Sequence, residues 1–150
     1  MKKSRIHVYD KAKYHLEEVE GFGLPEEHAF HHTTFFFSWL IKNELLSESF
    51  CLSISGQVND YLQGKITINQ LYGSLDACLT SDMLNAEGNA FAKAYFDFNK
   101  GKYLDDYHQY LQKKLPSEFH VAYTKGNEDT IHAVISDRFI AWKKKVGKMA

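Results

Sequence analysis

Phe35-Phe36-Phe37-Ser38-Trp39-Leu40-Ile41 is the most apolar run of the chain, and its reading decides the fold. On a helix, three consecutive phenylalanines span about 200° of the circumference, so they cannot all face one core from a single side. A helix that is apolar over so wide an arc is buried on most sides, which places this one at the centre of the molecule. The run is also far short of the roughly 20 residues that cross a bilayer, so no membrane span is expected.

Working outward, this helix is predicted to begin near Leu24-Pro25, with Glu26 and Glu27 facing the positive end of its dipole, and to run to about Leu46. Phe35, Trp39 and Leu46 recur at spacings of four and seven. Ser47 and Ser49 offer caps for a second helix carrying Ile54, Val58, Tyr61 and Leu62, with Gly64 as its stop. Thr67 and Gln70 form a capping box for a third, whose apolar face continues through Leu71, Leu75, Cys78 and Leu79. A further helix from Ser81 or Asn85 carries Phe91, Tyr95 and Phe98 and breaks around Asn99-Lys100-Gly101. The next holds Tyr103, Leu104, Tyr107, Leu111 and Leu115 before Pro116. Phe119 to Thr124 alternates with period two, Lys125-Gly126-Asn127 reads as a turn, and Thr130 to Ile135 is rich in β-branched residues. A short hairpin over 119–135 competes there with a helix from Asp129, and the segment from Ser136 to about Val146 is helical.

The expectation is a mainly α, single-domain compact helical bundle over residues 1–150. It divides into a basic lead 1–23, core helices about 24–115, and a C-terminal ribbon and helix about 117–146. The chain's 150 residues, 44% hydrophobic and 25% charged, suit one ordinary domain and set aside disordered and collagen-like classes. Met1-Lys2-Lys3-Ser4-Arg5 resembles the start of a secretory signal, but no apolar segment of the required length follows. A cytoplasmic setting is therefore expected. There Cys51 and Cys78, which form no Cys-x-x-Cys, are expected to be reduced and buried.

The net charge of −1 removes the usual electrostatic reason to expect nucleic acid. That neutrality is a cancellation. Residues 1–15 carry five cations against one anion and residues 16–60 one against eight. Residues 61–112 carry four against six, and residues 113–150 eight against four. Such segregation either folds back on itself or steers a charged protein partner.

Eight histidines are the main chemical signal. His28, His31 and His32, at spacings of three and four, lie on adjoining parts of one helix face, and with His15, Asp10 or Glu27 they supply three or four ligands for zinc or iron. The pattern lacks His-Glu-x-x-His, and His32 shares a ridge with Phe36 and Trp39, which favours a histidine at the edge of the core. Asp105 and Asp106 point about 100° apart on a helix, so one is expected inside and one in solvent. No Gly-x-Ser-x-Gly and no phosphate loop occurs, and Gly21-Phe22-Gly23 lacks the third glycine of a dinucleotide motif.

Tyr9-Asp10-Lys11-Ala12, His15, Leu24-Pro25, Ala29 with His32, and Phe36 with Trp39 resemble the opening of an uncharacterised bacterial domain family. Asn85 to Ala92 with Tyr95, the run Tyr103 to Tyr107, and Arg138-Phe139 with Trp142 continue the likeness. Where that family more often has glycine two residues after the histidine, Thr34 stands here. The resemblance implies a small cytosolic protein, some relatives being similar to immunity proteins kept beside polymorphic or secreted toxins.

Two readings follow. The first is a binding protein of the immunity type that occludes the active site of a cognate toxin, needs no cofactor, and uses Glu17, Glu18, Glu20, Phe22, Glu26 and Glu27. It leaves monomer and homodimer open. The alternative is a metal-dependent enzyme or ligand-binding protein built on His15, His28, His31 and His32, with zinc or iron.

Overall fold

The computed structural model describes residues 6–149, with side chains to residue 147, so the Met1–Arg5 lead lies outside the described residues. The chain is mainly α-helical, as the periodicity predicts. Its elements in order are β1 (Val8–Lys11), α1 (Leu16–Gly21), α2 (His31–Lys42), α3 (Glu48–Ser53), α4 (Ser55–Leu62) and α5 (Ile68–Ser74). They continue with β2 (Cys78–Thr80), α6 (Ala86–Tyr95), α7 (Tyr103–Tyr107) and α8 (Lys125–Met149). Short helical turns at Ala12–Tyr14, Glu26–Ala29, Ser81–Met83 and Glu118–His120 join them, and α7 runs on into a π-helical turn, His108–Gln112. Among the described residues no helix is long and apolar enough to cross a membrane.

The centre is α2, in which every residue from His31 to Ile41 is buried. The three phenylalanines meet three different walls. Phe35 stacks on Tyr123 and faces Tyr107, Phe36 packs on Phe91, Tyr95, Phe96 and Tyr103, and Phe37 meets Tyr72 of α5. Trp39 lies against Phe91 and Phe139 and donates from Nε1 to Ser136 Oγ at 2.9 Å, tying α2 to α8. Such rings bury large areas at low conformational cost, and this cluster supplies most of the core. A smaller apolar cluster of Ala12, Val19, Ala29 and Phe119 sits beneath α1.

Local signals place most of the boundaries. Ser47 caps α3, Asn85 caps α6, and the Thr67–Gln70 capping box opens α5, Thr67 N donating to Gln70 Oε1 at 2.9 Å and Gln70 N to Thr67 Oγ1 at 3.0 Å. Gly64, at φ +78°, ends α4 in the left-handed conformation that glycine adopts without strain. A Cβ on Gly101 would lie 1.9 Å from the carbonyl oxygen of Tyr95, so the break after α6 folds tightly back on the helix end.

Several boundaries differ from expectation. Pro25 is extended, with ψ 149°, so the chain makes the separate turn Glu26–Ala29 before α2 begins at His31. The helix stops at Lys42 because Glu44 turns left-handed at φ 56°. The predicted second helix is divided at the buried Ile54 into α3 and α4. Asp76 and Ala77, at φ 62° and 48°, end α5 early, and Cys78–Thr80 leaves as a strand rather than extending the helix. That strand pairs antiparallel with β1 in the register Val8↔Thr80, Asp10↔Leu79 and Lys11↔Cys78, with an irregularity between Val8 and Asp10.

The two-stranded ribbon is therefore β1–β2, and the hairpin expected over 119–135 does not form. Thr124 Oγ1 accepts from Asn127 N at 3.1 Å, so Lys125-Gly126-Asn127 is the first turn of α8 and not a hairpin turn. Ile131 and Ile135, both fully buried, continue with Phe139 and Trp142 at helical spacing onto the core, and that packing outweighs the β-branched preference of the segment. Cys51 is exposed and Cys78 half-buried, both as free thiols, contrary to the expected burial.

Candidate functional site

β1 brings Asp10 under the first turn of α2, and the turn Ala12–Tyr14 returns the chain so that His15, at the head of α1, meets the same carboxylate. His15 Nε2 donates to Asp10 Oδ1 at 2.7 Å, His32 Nε2 lies 3.1 Å from Asp10 Oδ2, and Thr33 Oγ1 donates to Oδ2 at 2.5 Å. Asp10 is 2% exposed and His32 3%, while the His15 side chain retains 20%, so the cluster opens to solvent only along the His15 edge. The two imidazoles stand edge to face, 4.7 Å between centroids, with Phe119 against both and Phe98 against His32. Tyr103 Oη donates to the His32 carbonyl at 2.5 Å, anchoring that turn of α2 to α7. Beyond it, Thr34 Oγ1 donates to Asn69 Oδ1 at 2.7 Å.

Burial raises the Asp10 pKa, but the hydrogen bonds and charge of His15 and His32 prevail and hold the carboxyl well below the usual carboxylate range. Burial likewise opposes charging of His15, yet its bond to Asp10 and the carboxylate's charge raise its pKa. Nδ1 of His32 has no hydrogen-bond partner among the described residues, so the ring's polar bonding is committed to Asp10.

The predicted histidine set is divided. His15 and His32 join Asp10, whereas His28 and His31 turn away: His28 Nδ1 donates to the Phe119 carbonyl at 2.6 Å and His31 Nδ1 to the Val121 carbonyl at 2.9 Å. The cause is the turn Glu26–Ala29, which displaces His28 from the helical face that the spacing implies. These two rings hold the chain before α8 against α2. Burial, reinforced by the neighbouring His28, lowers the His31 pKa against the opposing effect of its bond to the Val121 carbonyl. Asp10 and Thr33 complete the cluster. Only Asp10 stood out in the sequence, as one optional ligand, because pairing β1 with a strand nearly seventy residues away is what buries it.

Asp106 and Asp105 divide as expected, the first buried and the second in solvent. Asp106 receives Arg138 Nε at 3.0 Å, Arg138 Nη2 at 2.8 Å and Tyr95 Oη at 2.7 Å. A third buried carboxylate, Glu128, takes Lys42 Nζ at 2.8 Å and Tyr123 Oη at 2.5 Å, which hold its pKa down to about 2 against the opposing effect of burial.

The residues named for partner binding lie together. Glu17, Glu18, Glu20, Phe22, Glu26 and Glu27 are all exposed on α1 and the loop and turn that follow it. Two of them, Glu20 and Glu26, line a cleft of about 470 Å³ together with Leu16, Val19, Gly23 and Leu24, and the Phe22 ring rests edge-on against His120. The chemistry available is of two kinds: a closed carboxylate–imidazole cluster that holds protons or chelates an ion, and an open acidic face with an apolar cleft.

No curated protein and no solved structure matches the chain. A family model does, over residues 8–121, which spans β1 to the turn before α8 and includes Asp10, His15, His32, the acidic face and Asp106. On that match the chain belongs to the family described as Domain of unknown function (DUF7832).

Proposed function

We propose that the chain is a protein-binding module of the immunity type, which neutralises a cognate bacterial toxin in the cytoplasm by covering its active site. One observation carries the reading: six exposed residues, five of them glutamates, lie close along α1 and the turn after it, and two of them, Glu20 and Glu26, border a cleft whose lining includes Leu16, Val19 and Leu24. The glutamates set the field that steers a basic surface to this face. Phe22 and the cleft beside it supply the central apolar anchor that gives an interface its residence time. α1 and the turn Glu26–Ala29 are packed through Val19 and Ala29 on the smaller apolar cluster, so the face is presented without needing to fold on binding.

The test is co-expression with the toxin encoded beside the gene, together with purification of the complex. Wild-type chain is expected to protect cells and co-elute with the toxin. Glu17→Lys/Glu18→Lys/Glu20→Lys is expected to slow association about tenfold or more and to abolish its salt dependence, while far-UV circular dichroism stays unchanged. Phe22→Ala is expected to speed dissociation about tenfold. Absence of both protection and a complex would rule the reading out.

A further inference from the structure

We propose that Asp10, His15 and His32 form a binding site for one first-row divalent cation of the zinc type, independent of the partner-binding face. Their ligating atoms, one from each residue, all lie within 4.8 Å of one another. They come from three separate elements, namely β1, the head of α1 and the first turn of α2. In a four-coordinate zinc site, ligand bonds of about 2.0–2.1 Å put neighbouring donor atoms roughly 3.3 Å apart. Asp10 Oδ1 stands 2.7 Å from His15 Nε2 and Oδ2 stands 3.1 Å from His32 Nε2, so one carboxylate faces both ring nitrogens, and small shifts of the three side chains bring the donors to that spacing.

Charge gives the reason for an ion. A carboxylate taken out of water costs several kcal/mol unless it is compensated. Among the described residues no lysine or arginine lies within ion-pairing reach of Asp10; its partners are two imidazoles and a hydroxyl. Neutral imidazoles leave the buried charge standing. A single proton on one ring or a divalent cation on all three donors neutralises it, and the cation also uses both imidazole lone pairs. Two histidines and one carboxylate without thiolate suit zinc or ferrous iron rather than magnesium or calcium. Entry and a fourth ligand come from the His15 edge, where the cluster meets solvent.

His28 and His31 are not part of this set, since each directs a ring nitrogen to a backbone carbonyl. That separation supplies an internal control.

The experiment uses full-length protein without a polyhistidine tag, stripped with EDTA and dialysed. Zn²⁺ is titrated by calorimetry at pH 7.5 and bound metal is counted by mass spectrometry; Fe²⁺ is titrated anaerobically in parallel. One equivalent of metal per chain is expected, with Tm rising as metal is added. His15→Gln and Asp10→Asn are each expected to weaken binding by about a hundredfold or more, and His28→Gln to leave stoichiometry and Kd unchanged. Folded wild-type protein that takes up no stoichiometric Zn²⁺ or Fe²⁺ overturns the proposal and leaves Asp10 neutralised by a proton alone. Unchanged binding in both His15→Gln and Asp10→Asn also overturns it.

Discussion

Asp10 and Asp106 are buried to the same degree, each side chain 2% exposed, and they are held in opposite ways. Asp106 faces Arg138, a cation at every accessible pH, which grips it with two nitrogens while half its own side chain stays in solvent. Asp10 faces two imidazoles, whose charge depends on pH and whose nitrogens either donate or accept. The first arrangement is a clamp between α7 and α8. The second has adjustable charge and adjustable hydrogen bonding, which is what a proton-linked or ion-binding site needs. The same residue type at the same burial thus acquires a different capacity from its partners alone.

The comparison is broken most directly by replacing each carboxylate with its amide, in metal-free protein. Asp106→Asn presents an NH₂ group to a guanidinium that has no acceptor, and is expected to cost about 2–3 kcal/mol, since the half-exposed Arg138 stays solvated. At Asp10 an imidazole can change tautomer and accept from the new amide, so Asp10→Asn is expected to cost only about 1–2 kcal/mol. Urea unfolding measures both, and the reverse order would show that the partners do not decide the outcome.

Next in size is the pH dependence. The His15 pKa is raised in the fold, so its contribution is complete below the unfolded value near 6.5 and is lost as pH rises through the folded one. In EDTA, the destabilisation caused by His15→Gln should fall from about 2 kcal/mol at pH 6 to about 1 kcal/mol at pH 9, as a charged hydrogen bond becomes a neutral one. That of Arg138→Gln should stay flat over the same range. For the whole protein the acid side is weaker. His31 and His132 have lowered pKa values through burial, so their contribution is lost below about pH 6.5. Asp10 and Glu128 are lowered as well, and their contribution is lost below about pH 4.

The smallest effect sharpens the point. Asp105, beside Asp106 in sequence, has a side chain 72% exposed and lies 4.0 Å from Lys102. Asp105→Asn should change stability by less than about 0.5 kcal/mol, because water already solvates the charge.

Much of the fold was legible in the chain. Three consecutive phenylalanines required a central helix, and Ser47, Thr67, Gly64 and Asn85 marked helix ends through bonds made within three residues or through backbone freedom at one position. The errors share a different cause. Cys78–Thr80 reads as helix because its strand partner, Val8–Lys11, is far away in sequence, and the choice between ribbon and helix before Ile135 stays open because α2 and α6, which pack against its helical face, are not local to it either.

The candidate site followed the same division. The residue types were visible, including Asp10 beside the histidines, as was the acidic stretch that holds Glu17, Glu18, Glu20, Phe22, Glu26 and Glu27. Which histidines face one another was not visible, because the turn Glu26–Ala29 separates His28 from the face of His32. Sequence by itself determined what short-range chemistry can specify: a mainly helical chain, its caps, its central aromatic helix and its segregated charge. Tertiary structure alone decided that Asp10, His15 and His32 converge, that His28 and His31 serve backbone carbonyls, and that Asp106 meets Arg138. Convergence of that kind depends on which surfaces the core brings together, and no local pattern encodes it.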